Sequence, residues 1–119
     1  MATLGRNEIL EAKDLPKKEV KVPEWGGSVF VRTMRADERD AYELSCYDSR
    51  EESGGKHQQH IRARLLVYTV CDEAGVRMFS EADLDALGAK SAKASDRLFA
   101  VAQKLNGIGD DDIEELEKN

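Results

Sequence analysis

Two short runs of alternating valine, Val20-Lys21-Val22 and Val29-Phe30-Val31, flank the segment Pro23-Glu24-Trp25-Gly26-Gly27-Ser28. In a chain otherwise patterned for helices, this reads as a β-hairpin. Alternation with period two places successive side chains on opposite faces, and a Gly-Gly pair permits the positive φ angles of a two-residue hairpin turn. Pairing the strands about Gly26-Gly27 sets Val22 opposite Val31 and Pro23 opposite Phe30. The four valines then share one face, and Pro23, Trp25 and Phe30 share the other. An isolated two-stranded hairpin is marginal in water, so both apolar faces call for a cover of helices or of another copy. That need points to assembly rather than catalysis, and Trp25, Phe30, Val29 and Val31 are the candidate protein-interaction residues.

The remaining elements follow from helical periodicity and capping. A short helix spans Gly5 to Ala12, with Ile9, Leu10 and Leu15 expected to face inward, and Pro16 ends it. Thr33 is the expected N-cap of a second helix running to about Tyr47 through Ala41, Tyr42, Leu44 and Cys46. Asp48 to Lys56 lacks an apolar anchor and reads as a flexible loop. The next helix, from near His57 to about Cys71, is apolar on several sides and should be central. Val76 to Phe79 is extended and a candidate third strand. Ser80-Glu81-Ala82-Asp83 resembles a capping box opening a short helix that Gly88 stops. Ser91 caps a longer helix to Leu105, which Asn106-Gly107 ends. Asp110 opens a last short helix with Ile113 and Leu116 as its apolar residues. The expected fold class is α+β: one mainly helical domain over residues 1–119, with an N-terminal hairpin at about 18–33.

The chain has 119 residues, 40% hydrophobic and 35% charged, with a net charge of −6. The acid is concentrated at the end: from Gly107 onward, Asp110, Asp111, Asp112, Glu114, Glu115 and Glu117 stand against Lys118 alone. An acidic chain without a basic stripe is poorly suited to nucleic acid, whose phosphates select clustered Lys and Arg. No apolar run approaches membrane-spanning length. The N-terminus lacks the apolar core of a signal peptide, so a cytoplasmic setting with reduced thiols is expected.

No motif assembles a catalytic set. Cys46 and Cys71 sit within helical patterns, away from helix N-termini that would acidify a thiol, and read as small buried hydrophobes. His57 and His60 share a helix face, yet their spacing to the cysteines matches no compact zinc framework. Gly26-Gly27 lacks the lysine and following helix of a phosphate loop. Asp110-Asp111-Asp112 lacks the alternating acids and distal Glu of a calcium loop and fits a helix start. Arg62 and Arg64 read as a solvated face or as salt-bridge partners. No cofactor, metal or catalytic residue is expected.

The order of these features resembles the tail assembly chaperones of lambda-like, long-tailed siphophages and prophages. The resemblance runs through Glu8-Ile9-Leu10, the Val20–Gly27 segment with its following valine strand, and Glu38-Arg39-Asp40-Ala41-Tyr42. It continues through Ile61-Arg62-Ala63-Arg64-Leu65, Phe79 to Leu84, Ala100 to Gly107, and the acidic Glu114-Glu115-Leu116-Glu117. Gly5 departs from the Ser or Thr cap expected there. The resemblance implies a non-enzymatic protein of the host cytoplasm. It would coat the tape measure protein in many copies while tail tube subunits polymerise around it, and would be absent from the finished tail. It also implies self-association, and a longer form made by a programmed −1 frameshift whose added domain recruits the tail tube protein. Glu117-Lys118-Asn119 can be encoded as GAA AAA AAC or GAA AAA AAT, an A-rich run on which tRNAs could slip. Two other readings share the composition: a small prophage adaptor or regulatory protein, and a minor structural tail protein.

Overall fold

A computed structural model describes residues 2–55 and 58–109 of the chain. Among them are five α-helices and a three-stranded antiparallel sheet. The order is α1 (Arg6–Glu11), β1 (Lys17–Val22), β2 (Gly27–Arg32), α2 (Ala36–Glu52), α3 (Ile61–Thr69), β3 (Val70–Cys71), α4 (Leu84–Gly88) and α5 (Ala92–Leu105). The α+β class with an N-terminal hairpin is as the sequence predicts. The final helix expected from Asp110, the acidic end and the Glu117-Lys118-Asn119 site lie outside the described residues.

The hairpin forms, with a different turn. Pro23 has no N–H to give a ladder, and its fixed φ starts a single 3-10 turn, Pro23–Trp25, closed by a Gly26 N–H to Pro23 carbonyl bond of 3.0 Å. Gly26 alone carries the positive φ, 76°, and Gly27 is already in strand. The register is therefore corrected: Val22 lies opposite Gly27, Val20 opposite Val29, and Val31 opposite Lys18 rather than Val22. The partner of Val31 moves by four positions, an even number, so the period-two alternation survives. The four valines still share a face, and α3 and α5 pack over it. The opposite face is not the apolar one expected. It carries Lys17, Glu19, Lys21, Ser28, Phe30 and Arg32, while Trp25 folds from the turn toward the core.

The central position of α3 is confirmed: every residue from Ala63 to Thr69 is buried. It begins later than expected, at Ile61, and gives way at Val70 to β3, which pairs with β2 through Phe30 and Val31. The third strand is thus Val70–Cys71, and Val76–Phe79 contributes only a bridge from Arg77 to Cys71.

Two further boundaries shift. Arg35, not Thr33, is the N-cap of α2, and Glu38 Oε1 accepts the Arg35 N–H at 2.9 Å. Thr33 instead donates its hydroxyl to the Leu105 carbonyl at 3.3 Å. At its other end α2 continues through Glu52, so Asp48–Glu52 are helical rather than loop, until Gly54 and Gly55 adopt positive φ. The inward face of that last stretch is built from Ser49 and Arg50, which hydropathy does not register as an anchor.

The Ser80 capping box, the Ser91 cap and the Asn106-Gly107 stop form where expected, whereas Gly88 is the last helical residue of α4 and Ala89, not Gly88, is its C-cap. Asn106 does more than end a helix. Its Oδ1 accepts the Met34 N–H at 2.7 Å and its Nδ2 donates to the Ala102 carbonyl at 2.9 Å, fastening the end of α5 to the β2–α2 connection. Beside it, Arg32 donates two bonds to Glu38, at 2.8 and 2.9 Å, in an enclosed fork. Burial opposes ionisation of Glu38, but the Arg32 guanidinium, the Arg35 N–H and the Arg77 charge together outweigh it and hold the carboxyl below its usual range.

Candidate docking site

The Trp25 turn and α4 together form the apolar groove best placed for a partner. Glu24 and Arg97 pin the turn to α5 through two bonds of 2.7 and 2.9 Å. Hydrogen bonding from Arg97 lowers the Glu24 carboxyl to about 2. Across from the turn, Ser80 and Asp83 cap the next helical segment reciprocally: Ser80 Oγ accepts from the Ala82 N–H at 3.3 Å, and Asp83 Oδ2 accepts from the Ser80 N–H at 2.8 Å. This cap leaves Phe79 and Leu84 at the staple positions before and after the first turn, both half-buried against the core. The result is a groove of about 260 Å³ walled by Trp25, Phe79, Ala86 and Leu87, with Asp83 and Lys90 at its rim. The Trp25 Nε1 is enclosed without a hydrogen-bond partner among the described residues.

The four predicted interaction residues do not form one surface. Val31 is fully enclosed in the core, a structural rather than a docking position. Val29 is half-buried and packs against the same core. Phe30 lies on the other sheet face, with the Lys17 ammonium 5.6 Å from its ring centroid. Trp25 alone of the four lines the groove.

Exposed apolar side chains lie elsewhere. Leu4, Ile9 and Leu10 are 62%, 57% and 66% exposed, and Leu15 is 40% exposed. The expectation that Ile9, Leu10 and Leu15 turn inward is therefore wrong: α1 buries none of its residues. Leu44, Tyr47, Val76 and Met78 are exposed as well. The available signal was length. A six-residue helix followed by Pro16 leaves little to hold it on a core.

A polar cavity of about 340 Å³ lies between α2, the start of α3 and α4, lined in part by Ser45, His60, Arg64, Glu81 and Asp85. Arg64, Glu81, His60 and Asp85 are paired within it. Enclosed Arg64 donates to Ser45 Oγ and to the Gln59 carbonyl at 3.0 Å, and its guanidinium lies 3.5 Å from Glu81. Tyr68 donates to Glu81 at 2.6 Å, and burial followed by that bond pushes the phenol up to about 12. Arg62 pairs with Asp96 at the surface, so the two arginines differ: one is a surface ion pair, the other a buried hub. His60 Nε2 lies 3.0 Å from Asp85, and His57 is outside the described residues. Burial pushes both thiols, Cys46 and Cys71, up, away from the nucleophilic thiolate. Among the described residues no group of three or more His, Cys, Asp and Glu side chains could hold a metal ion, and no helix is long and apolar enough to cross a membrane.

The model of the family described as phage tail assembly chaperone matches residues 6–119. The chain belongs to this family. A solved tail assembly chaperone, that of bacteriophage HK97, shares the fold with a TM-score of 0.58. That likeness covers 83% of this chain and 94% of the HK97 chain at 22% identity. No curated protein matches the sequence. In the tail assembly chaperone described here, the polar cavity holds the Arg64–Glu81 network, while the Trp25 groove and the exposed α1 carry the apolar surface.

Proposed function

We propose that this tail assembly chaperone coats the tape measure protein in the host cytoplasm, helps tail tube subunits polymerise around it, and leaves before the tail is complete. The near full-length family match carries the reading. Apolar surface spread over several parts of a small acidic chain agrees with it, since a coat needs weak contacts made many times. The coat self-associates. A frameshift-extended form, arising near Glu117-Lys118-Asn119, brings in the tail tube protein. The role asks for no metal, cofactor or catalytic group.

The test is co-expression with the tape measure protein from the same genome. The expected result is a soluble complex holding many copies of this chain per tape measure molecule, with none in purified virions. Failure to co-purify, or a fixed complement in finished tails, overturns the proposal.

A further inference from the structure

A second cavity, of about 380 Å³, lies beside the sheet face that carries Arg32, lined in part by Leu15, Arg32, Arg35, Glu38, Val76 and Arg77. Arginine dominates its wall. Arg32 is spent on Glu38, but the other two are not. Arg35 bonds Asp37, yet its side chain is 58% exposed. Arg77 Nη1 stands 3.6 Å from Glu38 Oε2, beyond hydrogen-bond distance. A guanidinium carries five N–H donors, so both keep donors for a ligand. Lys17, paired with Arg32 across the strands, adds a cation to the same face. At the mouth, Leu15 and Val76 are exposed. Such a wall suits a ligand that is acidic and brings a few apolar side chains.

The chain carries a segment of that kind next to the cavity. Asp110-Asp111-Asp112-Ile113-Glu114-Glu115-Leu116 holds five acids and two aliphatic residues. It lies outside the described residues, but the residues leading to it are fixed. Asn106 Nδ2 donates to the Arg32 carbonyl at 3.4 Å, Arg39 Nη1 donates to the Asn106 carbonyl at 3.3 Å, and Ile108 is buried in the core. Arg39 is on α2, four positions after Arg35. The segment therefore leaves the fold one side chain away from the cavity wall. Its seven residues reach roughly 23 Å when extended and about 10 Å as helix, so either form covers the step.

We propose that the cavity receives the chain's own acidic segment, residues 110–116, with the carboxylates on Arg35 and Arg77 and with Ile113 and Leu116 against Leu15 and Val76. Each exposed ion pair is weak alone. Tethering makes the contact intramolecular, so several weak contacts act together. Occupied this way, Arg35 and Arg77 are closed to any other acidic ligand, and the chain covers its own Leu15–Val76 rim.

The test uses the full chain. Cys46 and Cys71 are buried, so Lys118→Cys takes a thiol-reactive nitroxide selectively. In isotope-enriched, labelled protein the amide signals of Leu15, Gly75 and Val76 should lose intensity at every dilution and recover when the nitroxide is reduced. Arg35→Glu with Val76→Glu sets two acids at the mouth, both at exposed positions. The signal loss at Leu15 and Gly75 should then disappear, with circular dichroism unchanged. An enriched copy without nitroxide, mixed with a labelled copy that is not enriched, should keep full intensity. Loss in that mixture assigns the cavity to a second copy and overturns the proposal. Full intensity in the singly labelled protein overturns it too, as does loss that the folded double variant retains. The first measurement needs no substitution in the cavity and decides the docking even where the double variant fails to fold.

Discussion

Trp25 is held from two sides, by the Pro23–Gly26 turn and by the α4 groove, with its indole N–H enclosed and unpaired among the described residues. An unsatisfied donor stabilises nothing, so the contribution of this residue is its ring. Trp25→Phe should therefore cost under ~1 kcal/mol, and Trp25→Ala, which empties a half-buried site, about 2 kcal/mol. Thermal unfolding distinguishes the two, and equal losses would show that the ring is not the stabilising part. Glu24, its neighbour, is a pH-dependent pin. Its folded carboxyl is lowered to about 2 by Arg97, so the stabilisation is present above the ordinary Glu range and is lost as pH falls from about 4.5 toward 2. The stability gap between wild type and Glu24→Gln should be widest near neutral pH and close across that window in acid denaturation. Gly88 carries a steric demand: a Cβ there would lie 2.5 Å from His60 Nδ1. Gly88→Ala should push the imidazole off Asp85, seen as a displacement of the His60 ring resonances from their wild-type positions.

At the scale of elements, α2 and α3 show what hydropathy reads and what it misses. The apolar run in α3 announces a central helix, and the structure buries seven successive residues of it. Beyond Cys46, α2 has no apolar inward residue, because Ser49 and Arg50 do the packing there, and its extent to Glu52 was illegible for that reason. Arg64 illustrates the same blind spot within a site. Among surface-type residues in the sequence, it becomes the enclosed hub joining Ser45, Gln59 and Glu81. Arg64→Leu should cost about 3 kcal/mol by stranding those polar groups, measurable as a lowered denaturation midpoint without loss of helix at low temperature. The capping signals at Ser80, Ser91 and Asn106 were readable because each acts within a few residues. The hairpin register was not: it depends on whether Pro23 or Gly26-Gly27 governs the turn, and proline's missing N–H decides it. Of the candidate site, Trp25 was legible, whereas Phe79 and Leu87 are brought to it by packing that no local pattern encodes.

At the scale of the whole molecule, α1 stands apart from the shared core. Removing residues 2–11 should change the unfolding free energy of the remainder by no more than a surface substitution does, about 0.5 kcal/mol. A large loss of stability would mean that α1 packs on the core after all. The clasp at Asn106 has a different consequence, which concerns the order of synthesis. The valine face of the hairpin is made before its two covering helices, of which α5, the last of the described elements, is fastened through Met34 and Asn106 across 72 positions of sequence. The nascent hairpin must wait, its apolar side partly uncovered, until α5 has left the ribosome. Chains interrupted before Ser91 should accumulate as aggregates rather than as soluble fragments, so that release of a folded molecule certifies that translation has passed through α5.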